Sequence, residues 1–302
     1  MKVIRINENL FDIRLDFKQT NTENFLSTWV YKDQQLCFLV DCGPTSSINS
    51  LLTGLSEIGV EGFDLDYILL THIHMDHAGG VGNLLSHFPR ASVICHPRGV
   101  KHLINPQKLW EESKKVLGNV AEWYGKIKPV PKDRFYFQEE LANGKIKIIE
   151  TLGHAAHHQS YLFDLYLFAG EVAGVHRPIL DTFYIRPATP PVFNYKAWKL
   201  SVEKLLLKNL RDYKICYPHY GIRENANKML KLAKKQLSIW MNVIDDLFEK
   251  RNQPKFYEQV ISALLKKDIF LKRYILMDEQ IKTRENYFII NCINGIVKYI
   301  EN

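Results

Sequence analysis

Short apolar runs broken by Asn, Asp and Gln fill the start of the chain. Val3 to Ile6, Phe11 to Leu15, Phe25 to Tyr31 and Leu36 to Asp41 predict β-strands. After the turn Asp41-Cys42-Gly43-Pro44 the period changes. Ile48, Leu51, Leu52, Leu55 and Ile58 fall on one face of a helix, which Gly59 stops. The apolar run Tyr67-Ile68-Leu69-Leu70 predicts a further strand, followed by a helix through Val81 to His87 and a strand at Ser92 to Cys95. A polar helical stretch from about Gly99 to Trp123 reads as an insertion over one face. Strands are expected again at Lys145 to Ile149 and Ser160 to Leu167. Arg186-Pro187-Ala188-Thr189-Pro190-Pro191 predicts an ordered loop, because proline lacks an N–H and fixes φ. The remainder is mostly helical, with β-prone runs at Tyr287 to Cys292 and Ile296 to Ile300. Strands in separate halves, each alternating with helices, predict an α/β protein whose sheets pack between helical layers.

A chain of 302 residues that is 46% hydrophobic and 24% charged can bury a full core as a globular protein. No apolar run approaches the ~20 residues of a membrane span, and Met1 to Ile6 lacks the apolar stretch of a secretory signal. Cys37, Cys42, Cys95, Cys216 and Cys292 are scattered without a CxxC pair. They read as reduced thiols of a cytoplasmic protein rather than a zinc-binding set. The net charge of +7 raises acidic partners, but the lysines are spread over Lys199 to Lys214 and Lys228 to Lys235, as on solvated helix faces.

The chemistry concentrates in His72-Ile73-His74-Met75-Asp76-His77, which holds three of the 11 histidines. Residues two apart on a helix point roughly 200° apart, so His72 and His74 could not share an ion from a helix. In an extended segment they face the same side and can converge on one ion. A tightening turn would then let Asp76 and His77 address a second. The plainer reading is a surface turn that happens to be rich in His and Asp. Three ligand-type residues that end later β-prone runs weigh against it. His154 follows Gly153, Glu171 follows Leu167-Phe168-Ala169-Gly170, and His219 follows Lys214-Ile215-Cys216-Tyr217-Pro218.

Taken in order, Asp41, the His72-x-His74-x-Asp76-His77 element, His154, an acid at 171 and His219 resemble the ligand set of the metallo-β-lactamase superfamily, over about residues 1 to 225. Gly153-His154-Ala155-Ala156-His157-His158-Gln159-Ser160 and the 186–191 loop make the resemblance strongest to glyoxalase II-like and lactonase-like hydrolases. The resemblance implies an αββα sandwich over 1–225, with metal-binding loops at one edge, and a mostly helical extension over 226–302 packed on it. By position, His72, His74 and His154 resemble the ligands of a first metal, and Asp76, His77 and His219 those of a second. Glu171 stands where the family has an Asp shared by both ions, and is one methylene longer. Asp164 is a weaker substitute for that role. Asp41 is expected to orient a ligand histidine or brace the loop. His157 and His158 stand to touch substrate, to hydrogen-bond a ligand or to satisfy a backbone group. Tyr184 and Tyr220 are expected near the site, whereas His87, His96, His102 and His176 lack partner spacing and read as structural or surface residues.

Ligation by nitrogen and oxygen without thiolate suits a pair of Zn ions, with Fe or Mn as alternatives. Such a pair lowers the pKa of water towards ~7 and polarises a carbonyl, and Asp76 is expected to shuttle the proton. No Gly-x-Ser-x-Gly elbow is present to supply a serine nucleophile. The expected activity is hydrolysis of an ester, thioester or lactone bond in a small molecule. One rival is a metal-dependent phosphodiesterase or nuclease, which the same ligands can serve. No Lys/Arg run interleaved with aromatics supports a nucleic-acid partner. The other rival is a metal-binding protein whose hydrolytic power Glu171 has disturbed. Homodimerisation is compatible with hydrolases of this kind.

Overall fold

A computed structural model describes residues 1–17, 22–137 and 140–302 of the chain. The described residues fall into two compact units that interleave along the sequence. The first comprises Met1–Glu150, His157–Gly170 and Pro218–Gly221; the second comprises Thr151–Ala156, Glu171–Tyr217 and Ile222–Asn302.

In the first unit, β1 (Lys2–Arg5), β2 (Leu10–Phe17), β3 (Thr22–Lys32), β4 (Cys37–Val40), β5 (Tyr67–Leu69) and β6 (Ser92–Ile94) form one sheet in sequence order. β1 to β4 pair antiparallel. β4, β5 and β6 pair parallel, and the crossover from β4 to β5 carries α1 (Ile48–Glu57), which packs on β1 and β2. A second sheet region runs β10 (Tyr166–Phe168), β9 (Gln159–Phe163), β8 (Ile146–Glu150), β7 (Glu140–Leu141). The two sheets meet through aromatic side chains. Phe163 packs edge-on against Tyr31 and Phe38 at 4.6 and 5.1 Å between centroids, and Phe168 lies 6.2 Å from Trp29. Packing of these large rings contributes to cohesion between the sheets. The mixed α/β character expected from the alternation of periods is therefore present, with paired inner sheets. The polar insertion is made of three helices, α4 (Pro97–Ile104), α5 (Gln107–Leu117) and α6 (Asn119–Tyr124).

The loops that leave the C-terminal ends of β4, β5 and β6 begin at Asp41, Leu70 and Cys95. In open parallel sheets this edge is where ligands bind. The loop after β5 contains α2 (Met75–Ala78) and then α3 (Val81–Leu84), which is shorter than the helix expected to His87.

The second unit holds the hairpin of β11 (Val175–Ile179) and β12 (Thr182–Arg186), then α7 (Tyr195–Leu207), β13 (Lys214–Tyr217) and β14 (Gly221–Arg223). α8 (Ala226–Asp246), α9 (Phe256–Lys267) and α10 (Glu279–Glu301) follow. α8 is pinned by Asp268, whose Oδ2 accepts from Gln236 Nε2 at 2.8 Å and Trp240 Nε1 at 2.9 Å. No helix is long and apolar enough to cross a membrane among the described residues.

Two sequence expectations are corrected here. Tyr287 to Cys292 and Ile296 to Ile300 are not strands but part of α10. Their β-branched residues suit either structure locally, but the buried set Glu285, Ile289, Cys292, Ile293 and Ile296 follows helical spacing. Asp278 opens that helix by accepting from the N–H of Ile281 at 2.9 Å. Ser160 to Leu167 is likewise not one strand. It bends at Asp164, which adopts φ +50° in the tight turn between β9 and β10. Asp164 is exposed there, so its role is that of a turn residue, for which Asp is suited. The β11–β12 hairpin was not foreseen, because Arg177, Pro178 and Asp181 break any apolar alternation.

Candidate metal centre

The chain leaves β5 extended through Thr71, His72 and Ile73, and His74 is still extended at ψ 152° before α2 begins. Asp76 and His77 then sit in the first turn of that helix. The switch from extended to helical backbone is the tightening that the spacing predicted. The imidazole centroids of His72 and His74 lie 4.5 Å apart, and those of His72 and His77 4.1 Å apart.

Asp41 organises this segment. It follows β4 with φ +57°, a left-handed conformation that Asp tolerates. Its Oδ1 accepts from the Thr71 backbone N–H at 2.8 Å, and its Oδ2 accepts from the Thr71 hydroxyl at 2.8 Å. The same Oδ2 lies 3.0 Å from His77 Nδ1. Since the Thr71 hydroxyl proton is directed to Asp41, the hydroxyl oxygen is left to accept from His72 Nδ1, 3.0 Å away. His72 and His77 therefore both carry their proton on Nδ1 and present the Nε2 lone pair, the arrangement by which outer partners orient metal-binding histidines. Asp41 thus bonds Thr71 and His77 directly, and Thr71 links it to His72. The sequence reading missed Thr71, whose only signal is its position between the strand and His72.

His219 joins these residues from far along the chain. The Ser27 N–H donates to Pro218 O at 2.8 Å, and His219 bridges to Leu26, so β3 fixes its backbone. Its ring packs 4.5 Å from Phe25, and Tyr220, at φ +60°, packs 5.7 Å from the same phenylalanine. Asp76 Oδ2 stands 3.4 Å from His77 Nε2 and 3.9 Å from His219 Nε2. Donor atoms of Asp76, His77 and His219 all lie within 4.8 Å of one another. Burial alone would push His77 down, but the negative charges of Asp76 and Asp41 outweigh it and hold the imidazole well above its ordinary range. The site thus attracts positive charge, which a proton or a divalent cation can supply.

His157 accepts weakly from the Ile73 N–H through Nδ1 at 3.4 Å, and so satisfies a backbone group. His158 is fully buried, with its ring 5.2 Å from that of His72.

In the second unit, His154 and Glu171 form a pair of their own, with His154 Nε2 and Glu171 Oε2 2.8 Å apart. His154 Nδ1 lies 2.9 Å from the carbonyl oxygen of Ala188, which can only accept, so this nitrogen also carries the proton. A nitrogen lone pair then faces a carboxylate oxygen at close range, and the contact is favourable only with a cation or a further proton between them. Trp198 of α7 holds the backbone on both sides of the pair. Its Nε1 donates to Val172 O at 2.9 Å, and its backbone fits against Gly153 so closely that any Cβ there would overlap it. Gly153 also adopts φ +131°, which L residues rarely take. Trp198 is the second residue the sequence reading missed, since nothing marks it out on a helix so far from His154. Tyr184 is fully buried in the same unit. Burial first, and then the charge of Glu285, push its phenol well up, so its surroundings are those of a buried ion pair.

His96 and His176 have structural partners. His96 accepts from the Arg98 N–H and lies 2.8 Å from Glu150, and His176 accepts from Arg223 Nε at 2.8 Å. All five cysteines are buried free thiols, and burial pushes Cys37 and Cys95 up to about 12, so neither offers a thiolate near neutral pH. The donor set is therefore nitrogen and oxygen, as Zn, Fe or Mn accept. His72, His74, Asp76, His77 and His219 lie in the first unit, and His154 and Glu171 in the second. They fit divalent metal ions by donor type, and His72, His77 and His154 also by ring orientation.

Known proteins agree with this chemistry. A family model described as the metallo-beta-lactamase superfamily matches residues 22–219. The chain is 29% identical over 228 residues to the metallo-beta-lactamase fold-containing protein ST1585 of Sulfurisphaera tokodaii, covering 70% of this chain and 82% of that protein. It is 34% identical over 106 residues to a hydroxyacylglutathione hydrolase of Aeromonas salmonicida, but this spans only 34% of the chain and 35% of that enzyme. A metallo-beta-lactamase family protein of Thermus thermophilus has the same fold, with a TM-score of 0.67 over 98% of this chain and 94% of that one at 17% identity. The ordered histidines and carboxylates, the paired sheets and the match over most of the chain together show that this protein belongs to the metallo-β-lactamase superfamily, a superfamily of metal-dependent hydrolases.

Proposed function

We propose that the chain is a dinuclear metal-dependent hydrolase acting on an ester, thioester or lactone of a small molecule. His72, His74 and His154 would hold one ion, Asp76, His77 and His219 the other, and Glu171 would be shared between them. Zn is the metal that best suits the donor set, with Fe or Mn the alternatives. The observation that carries this reading is the common orientation of three imidazoles. His72, His77 and His154 are each fixed through Nδ1 and offer Nε2 as a donor. A purely structural histidine has no need of so uniform an arrangement.

A bound pair of divalent ions supplies Lewis acidity towards a carbonyl and lowers the pKa of water. The protein's own residues do the rest. Asp41 and Thr71 orient His72 and His77 through Nδ1, leaving Nε2 of each directed away from these partners. Asp76 is the most exposed member of its trio, with about a fifth of its side chain accessible, and its carboxylate is the group that accepts the proton of the attacking water and delivers it to the leaving group. The hydroxyacylglutathione hydrolases among the relatives favour a thioester among the candidate substrates. The buried reduced thiols suit a cytoplasmic setting.

The test combines metal analysis of the purified protein with a panel of thioesters, lactones and phosphodiesters. Hydrolysis of a thioester or lactone that is lost on chelation and restored by Zn supports the proposal. Phosphodiester cleavage without ester hydrolysis would overturn the substrate class. Two bound ions with no hydrolysis of any member would favour a binding protein.

A further inference from the structure

The second unit ties its C-terminal helix to His154 through a segment that begins at the last residue of β12. Residues 186–190 run from the end of β12, and α10 grips them at successive points on one face. Arg186 Nε donates to Glu285 Oε2 at 3.0 Å, and the Arg186 guanidinium lies 4.9 Å from the Phe288 ring centroid. Cys292 Sγ donates to Pro187 O at 3.1 Å. The Thr189 hydroxyl donates to Cys292 O at 2.9 Å. One turn further on, Gly295 meets the carbonyls of Thr189 and Pro190 so closely that a Cβ would overlap both. Ala188, whose carbonyl holds His154 Nδ1, sits in the middle of the gripped segment. The 186–190 segment is short and rich in proline, so a shift at Thr189 has little slack in which to dissipate before Ala188. α10 itself lies beyond residues 22–219, the stretch matched by the family model.

We propose that α10 is a positioning element of the metal centre: through Cys292 and Gly295 it sets Thr189, and thereby the Ala188 carbonyl that holds His154 with its proton on Nδ1. The inference rests on the reading of His154 as a metal ligand, and it assigns a role to residues near the C-terminus that touch no ligand themselves. Gly295 is required because the backbones of helix and segment touch there. Thr189 is required because its hydroxyl ties the segment to the helix backbone next to Ala188.

The test uses the full-length protein, with nitrogen NMR of the histidine side chains in the metal-free form at alkaline pH and Zn affinity measured by competition with a chelator. His154 of the wild type is expected as a single species protonated on Nδ1. Thr189→Val and Gly295→Ala are expected to give a mixture of tautomers at His154 and to lower Zn affinity roughly tenfold, as loss of an outer partner does. Thr189→Ser is expected to restore both. Should Gly295→Ala fail to fold, the Thr189 pair decides alone. Folded variants that keep the wild-type tautomer, or a wild type that lacks the Nδ1 proton, would overturn the proposal. A wild type that binds no Zn, yet whose His154 responds as described, would refute the metal reading and leave the positioning role standing.

Discussion

His72 and His77 in the first unit depend on one carboxylate, whereas His154 in the second depends on a main-chain carbonyl. Asp41 reaches both of the former, directly to His77 and through the Thr71 hydroxyl to His72. Their orientation is therefore written in side chains close to the motif, and a single substitution can undo it. Ala188 holds His154 by its carbonyl, and Trp198 steadies the neighbouring backbone at Gly153 and Val172. Here the identity of the partner residue matters little, and the path of the chain matters greatly. The first unit is thus expected to be sensitive to conservative changes of charge, and the second to changes of shape.

The largest effect that sharpens this contrast is at Asp76, which the proposed function makes both metal donor and proton carrier. Asp76→Asn is expected to lower kcat/KM by about 10²–10⁴-fold on whichever thioester or lactone the panel identifies, with the folded state retained by circular dichroism. Next comes the buried ion pair that anchors the second unit's segment. Burial would raise Glu285, but Arg186 and Arg284 outweigh it and hold the carboxyl below its usual range. A carboxylate depressed in the folded state contributes stability that is complete above its unfolded value and is lost as pH falls through the folded one. Glu285→Gln leaves Arg186 buried without its counter-charge and is expected to cost about 3–5 kcal/mol at neutral pH, and less in acid, in denaturant titrations at several pH values. A cost that does not shrink in acid would refute this assignment.

Asp41→Asn removes the charge that His72 and His77 both use. It is expected to weaken Zn binding by about 10–100-fold, measured by chelator competition, and to cost about 1–3 kcal/mol of stability through the weakened buried hydrogen bonds. Gly153→Ala is the matching perturbation of shape in the second unit. Its added methyl meets Trp198 and its φ is strained, so about 1–3 kcal/mol of stability should be lost along with Zn affinity. The smallest effect is expected for Trp198→Phe, which keeps most of the packing and loses the bond to Val172 O, about 1 kcal/mol by thermal unfolding. If Asp41→Asn and Trp198→Phe proved equal in their effect on Zn binding, the contrast between the units would fail.

The same contrast explains what could be read from the amino-acid sequence. The block at 72–77 was legible because its spacing makes sense only in an extended segment that then tightens, and β5 followed by α2 does this. His154, Glu171 and His219 were legible only through their order in the chain, because each stands alone at the end of a β-prone run. Asp41 was legible as a brace, but Thr71 was not, since a threonine after a strand is unremarkable until its hydroxyl is seen between two ligand-type residues. Ala188 and Trp198 left no trace, because one acts through its carbonyl and the other through backbone fit and a single indole N–H. The run at 287–300 was misread because its isoleucines suit a strand as well as a helix, and only the buried face of α10 decides between them. Local periodicity carried the fold where one face is buried and the other wet, and failed where packing chose between two acceptable periods.

Native mass spectrometry of the zinc-loaded chain tests the central claim most directly. The account predicts two ions on the wild type and one on each of His77→Ala and His154→Ala. A wild type without metal, or variants that both retain two ions, would contradict it.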